Sequence, residues 1–155
     1  MNKLRVGIIG LGGIARAHGD AIATLDNVEV IAVADLFEDK RQQFMERYGV
    51  PKGYVSHVEL LQDEEVDAVA ITLGHQLHHK LTVDSCNAGK HVLVEKPMAI
   101  SLEQCDDMIV AAAANDVKLM IGYTQHFYGT SLKAKEILDS GELGPIITAV
   151  CYMSK

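Results

Sequence analysis

A glycine-rich hexapeptide near the amino terminus combines residue types that suit phosphate binding. It reads Gly10-Leu11-Gly12-Gly13-Ile14-Ala15 and follows a short apolar run. Gly10 permits a tight turn, and Gly12 has no side chain to keep a pyrophosphate away from the backbone. Ala15 lets the next helix pack closely on the strand, and the N-terminus of that helix offers N–H groups to phosphates. The hexapeptide therefore predicts a dinucleotide-binding turn, with a glycine-rich turn that holds no ligand as the alternative.

Asp35 ends the second apolar run, 20 residues after Ala15. A carboxylate at this position can accept hydrogen bonds from the hydroxyl groups of an adenosine ribose. Leu36 follows it, and no arginine occurs before Arg41. A 2′-phosphate would meet the Asp35 charge without an adjacent cation, so the sequence favours NAD over NADP. A solvated aspartate at a strand end is the alternative.

Glu95-Lys96-Pro97 follows another apolar run. A lysine at the carboxyl end of a parallel strand faces the crevice where ligands bind. There Lys96 can hold a substrate hydroxyl and stabilise negative charge on its oxygen. Pro97 restricts Lys96 to an extended backbone, and a cis peptide bond is an option there. The alternative is a solvated Glu-Lys pair.

The elements that must position these residues alternate between strand-like and helix-like patterns. Apolar strands alternating with amphipathic helices predict a doubly wound α/β fold, with a parallel sheet covered on both faces. Strands are predicted at 4–10, 28–35, 53–55, 66–72, 90–96 and 118–124, and helices at 13–25, 37–49, 58–65, about 73–88, 102–116 and 131–140.

The composition restricts which binding partners and which cellular compartment we expect. The chain has 155 residues and a formal net charge of -7, so we expect neither nucleic acid nor a membrane surface as a partner. No apolar run approaches the roughly 20 residues of a membrane-spanning helix. Cys86, Cys105 and Cys151 are widely spaced and odd in number, which predicts reduced thiols and a cytoplasmic location.

The stretch "VLVEKPMAI", together with "GLGGIA" and Asp35, resembles the Gfo/Idh/MocA family of oxidoreductases. The resemblance extends over the whole chain and is most specific at residues 66–99. It implies a Rossmann domain with strand order 3-2-1-4-5-6 at residues 1–144. Residues 145–155 would then be the first strand of a C-terminal α/β domain that carries substrate contacts and a dimer interface, so the parent protein is expected to be a homo-oligomer.

The resemblance also implies a reaction, namely hydride transfer between NAD and a hydroxyl-bearing carbon of a sugar, cyclitol or related polyol. Lys96 would be the catalytic residue, and Glu95 would accept a hydrogen bond from the nicotinamide ribose. The family's proton-relay pair of aspartate and histidine falls beyond Lys155. We therefore expect this chain to bind NAD(H) without turnover. A stand-alone NAD(H) sensor is the alternative, although a sensor has no need of a lysine at the hydride position.

Further cofactor contacts follow from the same resemblance. They are expected at Leu73, Gly74, His78 and Pro97, with His78 on the nicotinamide side of the cleft. Gly74 and His75 replace the usual Pro-Asn pair, which puts the contacts of that pair in doubt.

Five histidines have roles that the sequence leaves open. His75, His78 and His79 have the spacing of ligands on one helix face, but no further ligand is apparent, so we predict no metal. His126 stands where the family often has arginine and is either a ligand contact or a plain loop histidine. His18 lies either near the phosphates or in a packing position.

The apolar segment at residues 146–153 generates the first testable prediction. An unpaired strand edge there should pair with another copy of the chain, pack on its own domain, or fray. We expect a chain ending at Gly144 to be more monomeric than the 155-residue chain, as measured by light scattering. Two forms that are equally monomeric would contradict the exposed-strand argument.

Overall fold

The computed structural model describes residues 3–152, which divide into one compact unit ending at Gly122 and a second beginning at Tyr123. The strands are β1 (Leu4–Ile9), β2 (Val28–Ala34), β3 (Lys52–Tyr54), β4 (Ala68–Ile71), β5 (His91–Val94) and β6 (Leu119–Ile121). The helices are α1 (Gly13–Ile22), α2 (Glu38–Tyr48), α3 (His57–Leu61), α4 (His78–Asn87), α5 (Leu102–Ala114) and α6 (Gly129–Asp139).

All six strands form one sheet in the order β3-β2-β1-β4-β5-β6, and every pair of neighbours is parallel. This arrangement confirms the predicted doubly wound Rossmann fold. The strand order reverses between β1 and β4, and ligands of open α/β sheets bind beyond the carboxyl ends of the strands at such a point.

The two faces of the sheet contribute to two separate apolar clusters. Ile8 packs in one cluster with residues of α1 and α2 such as Phe44. Its neighbour Ile9 packs in the other cluster with Leu60 of α3 and Met108 of α5. Because successive side chains of a strand point to opposite faces, burial of both requires helices on both faces. None of the helices within residues 3–152 is both long and apolar enough to cross a membrane.

Helix α5 begins much as the sequence predicts. The Ser101 hydroxyl accepts a hydrogen bond from the Gln104 amide at 3.3 Å, whereas the Gln104 side chain accepts from the Ile100 amide at 3.4 Å. The serine half of a capping box is therefore present, and the return bond reaches one residue further upstream.

The second unit contains a short 3-10 helix at Thr124–Phe127, which includes His126, and then α6. Residues 145–152 are exposed and adopt no regular secondary structure, and Met153 lies outside the described residues. A strand is stable only when its N–H and C=O groups have a partner strand. The predicted strand at 146–153 is therefore not formed over its described part, and the boundary after Gly144 stays a prediction.

Candidate cofactor site

The glycine turn between β1 and α1 is fixed by bonds to both neighbouring strands. Gly10 has φ +92°, a value that favours glycine, and its amide donates to the Ala34 carbonyl oxygen at 2.8 Å. A Cβ added to Gly10 would lie 2.4 Å from Cγ of Leu73, just beyond β4. Both the backbone conformation and the close approach of Leu73 therefore require glycine at position 10.

Thr72 anchors the same turn from the β4 side, and sequence reasoning missed it. Its amide donates to the Ile9 carbonyl oxygen at 3.0 Å, and its buried hydroxyl donates to the carbonyl oxygens of Ile9, at 3.2 Å, and Gly10. A threonine at the end of a β-rich run is typical of any strand, so the sequence carries no signal for this role.

The amino terminus of α1 offers N–H groups that no side chain of the helix cap engages. Gly12 is the N-cap residue without a side-chain hydrogen bond, and the first turn of α1 contains no acidic residue. A Cβ added to Gly12 or Gly13 would meet nothing within 4 Å. Ile14 is partly exposed, while Ala15 is fully buried at the contact with the sheet. A phosphate group fits this cradle because the free N–H groups and the helix dipole favour an anion.

Basic side chains of α1 and α2 border the cradle. Arg16 and Lys40 line a cleft of about 430 Å³ together with Gly12 and Gly13. The chain as a whole has a formal net charge of -7. Arg16 and Lys40 thus place positive charge beside the cradle, and this charge complements a phosphate.

Asp35 lies immediately after β2 and joins its carboxylate to the glycine turn. Its Oδ2 accepts a hydrogen bond from the Leu11 amide at 2.8 Å, and its Oδ1 accepts one from the Phe37 amide at 3.0 Å. The Arg41 guanidinium donates to the Asp35 carbonyl oxygen at 2.7 Å. Each carboxylate oxygen keeps a further lone pair, so ribose hydroxyls can still donate to it.

An apolar crevice of about 340 Å³ opens beside Asp35, and sequence reasoning missed it as well. Leu36, Phe37, Val55 and Leu77 line it, and all four side chains are substantially exposed. Exposed apolar walls next to a few placed polar groups are typical of a ligand pocket. This crevice suits one face of a flat, largely apolar ring.

A partly buried acid balances the positive charge at the rim of the crevice. Asp84 accepts hydrogen bonds from Lys80 at 2.7 Å and from His57 at 2.9 Å. Partial burial raises the pKa of Asp84, but the bonds from Lys80 and His57 outweigh this and lower it below its ordinary value. Asp84 is therefore ionised at neutral pH and offsets the charge of Lys80.

Glu95-Lys96-Pro97 extends from β5 at the same edge of the sheet as the glycine turn. The Glu95 amide donates to the Ile71 carbonyl oxygen at 3.1 Å, and the Glu95 side chain is largely buried. Lys96 and Pro97 are exposed, and the peptide bond between them is cis. Lys96 is thus the cation that β5 presents at this edge.

His78 occupies a buried position beneath the loops that follow β4 and β5. It is 1% exposed, with Nδ1 2.7 Å from the Pro97 carbonyl oxygen and Nε2 3.0 Å from the Leu73 carbonyl oxygen. Its ring therefore joins the two loops that carry the predicted contacts, while Gly74 is exposed in the first of them. A direct contact between His78 and a cofactor stays a prediction.

The three histidines of the possible metal cluster do not converge. His78 is engaged as described, and His79 Nε2 lies 3.3 Å from Oδ2 of Asp107. His75 begins an exposed 3-10 helix that ends at Leu77. Across residues 3–152, no three histidine, cysteine, aspartate or glutamate side chains come together in a way that could hold a metal ion.

The cradle, Asp35 and the Glu-Lys-Pro stretch thus meet at one edge of a Rossmann sheet. A family model described as "Oxidoreductase family, NAD-binding Rossmann fold" matches residues 4–123. The chain belongs to the Gfo/Idh/MocA family. The match confirms the family that the sequence resembles, and it confirms NAD as the class of cofactor that this family binds.

Relatives within the Gfo/Idh/MocA family act on different polyhydroxylated compounds, judging by their names. The chain is 34% identical over 141 residues to myo-inositol 2-dehydrogenase of Thermotoga maritima. This match covers 91% of this chain and 42% of that protein. It is 31% identical over 151 residues to glucose-6-phosphate 3-dehydrogenase of Bacillus subtilis. This second match covers 97% of this chain and 42% of that protein.

A solved family structure shows the same fold. The crystal structure of scyllo-inositol dehydrogenase from Lactobacillus casei, with bound NAD(H) and scyllo-inositol, superposes with a TM-score of 0.87 at 26% identity. The match covers 92% of this chain and 43% of that one. The chain therefore spans less than half the length of the relatives that it matches.

Paired glycine substitutions test the cradle. Gly12→Ala should weaken NADH binding by about tenfold or more, because the methyl group keeps the phosphates from the N–H groups. It should lower the free energy of unfolding by no more than about 1 kcal/mol. Gly10→Ala should lower the free energy of unfolding by at least about 1–2 kcal/mol, because alanine is strained at φ +92°.

Urea unfolding and NADH fluorescence titration measure the two effects separately. A Gly12→Ala chain that binds NADH as well as the unaltered chain would show that the cradle does not hold the phosphates.

Proposed function

We propose that the chain is the NAD-binding part of an oxidoreductase that transfers hydride between NAD and a hydroxyl-bearing carbon of a sugar, cyclitol or related polyol. The observation that carries this proposal is the common position of three groups at the carboxyl edge of the sheet. The uncapped N-terminus of α1, the Asp35 carboxylate and the exposed Lys96 follow β1, β2 and β5 respectively.

The first half of the site suits the adenosine diphosphate moiety. The N–H groups at Gly12 and Gly13 would hold the pyrophosphate, and Asp35 would accept hydrogen bonds from the ribose hydroxyls. The adenine ring would lie in the crevice lined by Leu36 and Phe37. The relatives' NAD-binding fold supports the same assignment.

The second half would hold the nicotinamide riboside and the substrate. Bound NAD supplies the hydride acceptor. Glu95 would hold the ribose, and Leu73, Gly74 and Pro97 would border the nicotinamide. The Lys96 ammonium would donate a hydrogen bond to the substrate hydroxyl and stabilise negative charge on that oxygen as the C–H bond breaks. Names of relatives that include inositol and glucose 6-phosphate support polyhydroxylated substrates.

The 155 residues tested alone should bind cofactor without turnover. Lys96 can bind and polarise a hydroxyl, but full catalysis needs a group that accepts its proton. From the resemblance, that aspartate and histidine pair is expected in a second domain. The parent protein is proposed to be a homo-oligomer in which the second domain carries the interface.

Fluorescence titration of the full chain with NADH tests the cofactor assignment, and added myo-inositol tests the substrate class. We expect saturable NADH binding, an effect of myo-inositol on the fluorescence of bound NADH, and no accumulation of NADH from NAD and myo-inositol. Lys96→Met should abolish the effect of myo-inositol and leave NADH affinity within about twofold. Lys118→Met, at the amino end of β6, is the matched control.

Each result decides one part of the proposal. Absence of NADH binding would overturn the cofactor assignment. Binding of NADH without any effect of myo-inositol would contradict the proposed contact between Lys96 and the substrate hydroxyl. Accumulation of NADH would show that the chain alone completes the reaction.

The preference for NAD over NADP gives a further prediction. Asp35→Asn should weaken NAD binding by about tenfold, because a charged acceptor is lost, and raise the NADP-to-NAD affinity ratio by a similar factor. Asparagine keeps an acceptor for the Leu11 amide, and Arg41 and Lys40 lie nearby. Competition of NAD and NADP against NADH measures the ratio, with exposed Asp39→Asn as control. An unchanged ratio would contradict the role of Asp35.

A further inference from the structure

A histidine on α1 holds the glutamate that follows β5. His18 Nε2 lies 2.8 Å from Oε1 of Glu95, and the side chains are 19% and 11% exposed respectively. A carboxylate only accepts hydrogen bonds. His18 Nε2 therefore carries a hydrogen atom and is the donor of this hydrogen bond. His18 lies one helical turn beyond the glycine cradle, so this bond joins the proposed phosphate site to the proposed nicotinamide site.

The orientation of the Glu95 carboxylate is determined by its hydrogen bond with His18. Its backbone is fixed by the bond to Ile71, and the neighbouring Gly122 amide is fixed by a bond to Val94 at 2.8 Å. A Cβ added to Gly122 would lie 3.2 Å from Oε1, so glycine leaves room for the carboxylate. Within residues 3–152, Oε2 has no hydrogen-bond partner.

We propose that His18 is a positioning residue for Glu95, which it orients so that Oε2 is available to the ribose next to the nicotinamide. This inference rests on the proposed function, since it takes the cofactor to lie at this edge of the sheet. It adds a residue of α1 to the groups that determine how the second ribose is held.

The bond with His18 also keeps Glu95 apart from Lys96. The two residues are adjacent in sequence and opposite in charge, yet none of the ion pairs within residues 3–152 involves Lys96. A long, flexible glutamate without a fixed partner loses entropy when it is ordered by a ligand. His18 supplies that order in advance and leaves the Lys96 ammonium free for the substrate hydroxyl.

Two ligands separate this role from simple packing. ADP has no second ribose, and ADP-ribose adds one. Calorimetry on the full chain should give tighter binding for ADP-ribose than for ADP, by about tenfold. His18→Leu and Glu95→Gln should each remove most of this advantage and leave the affinity for ADP within about twofold.

Conservative and control variants complete the test. His18→Gln can place an amide N–H near the position of Nε2, so it should restore the advantage of ADP-ribose. The double variant His18→Leu/Glu95→Gln should be no worse than either single variant, because both remove the same interaction. His91→Leu, at the amino end of β5, should change none of these affinities. Urea unfolding confirms that each variant is folded.

Several outcomes would overturn the proposal. Equal losses of ADP and ADP-ribose affinity in His18→Leu would mean that His18 only supports the packing of α1. Additive losses in the double variant, or no rescue by glutamine, would exclude the donated hydrogen bond as the cause. Failure of the unaltered chain to bind ADP or ADP-ribose would instead refute the proposed function itself.

Discussion

The parallel hydrogen bonding of β1 to β2 on one side and to β4 on the other is the constraint on which the site depends. It brings the ends of these strands to one edge, so that Ala34, Asp35 and Thr72 all reach the turn after Ile9. The same edge then receives Glu95 through the pairing of β4 with β5. Helix α1 starts from this turn, and its amino terminus is aimed by the bonds that hold Gly10 and Leu11.

The alternation of apolar runs with amphipathic stretches was enough to predict the strands, the helices and the doubly wound sheet. The roles of Gly10 and Ala15 were also predictable. The tight turn and the close packing of α1 on the sheet both require very small side chains. The predicted strand at 146–153 shows the limit of composition. Apolar, β-branched residues favour a strand, but pairing requires a neighbour that local sequence does not specify.

The side-chain partnerships could not be predicted from the sequence. His18 and Glu95 are separated by 77 residues, and His78 contacts the carbonyl oxygen of a residue 19 positions away. Such contacts depend on which face of a helix meets which strand end, and a histidine on a half-apolar helix is compatible with several faces. The role of Thr72 could not be predicted either, because its hydroxyl matters only when the Gly10 carbonyl oxygen lies within hydrogen-bond distance.

The hydrogen bond from the Leu11 amide to Asp35 has a consequence for how association would proceed. Every bond that shapes the glycine turn, including those to Ala34 and Thr72, is made within the chain, so the conformational entropy of the turn is lost during folding. A ligand entering there needs no coupled ordering of the loop. The heat-capacity change of association should then reflect only the surface that the ligand covers, and the association rate should not be limited by loop closure.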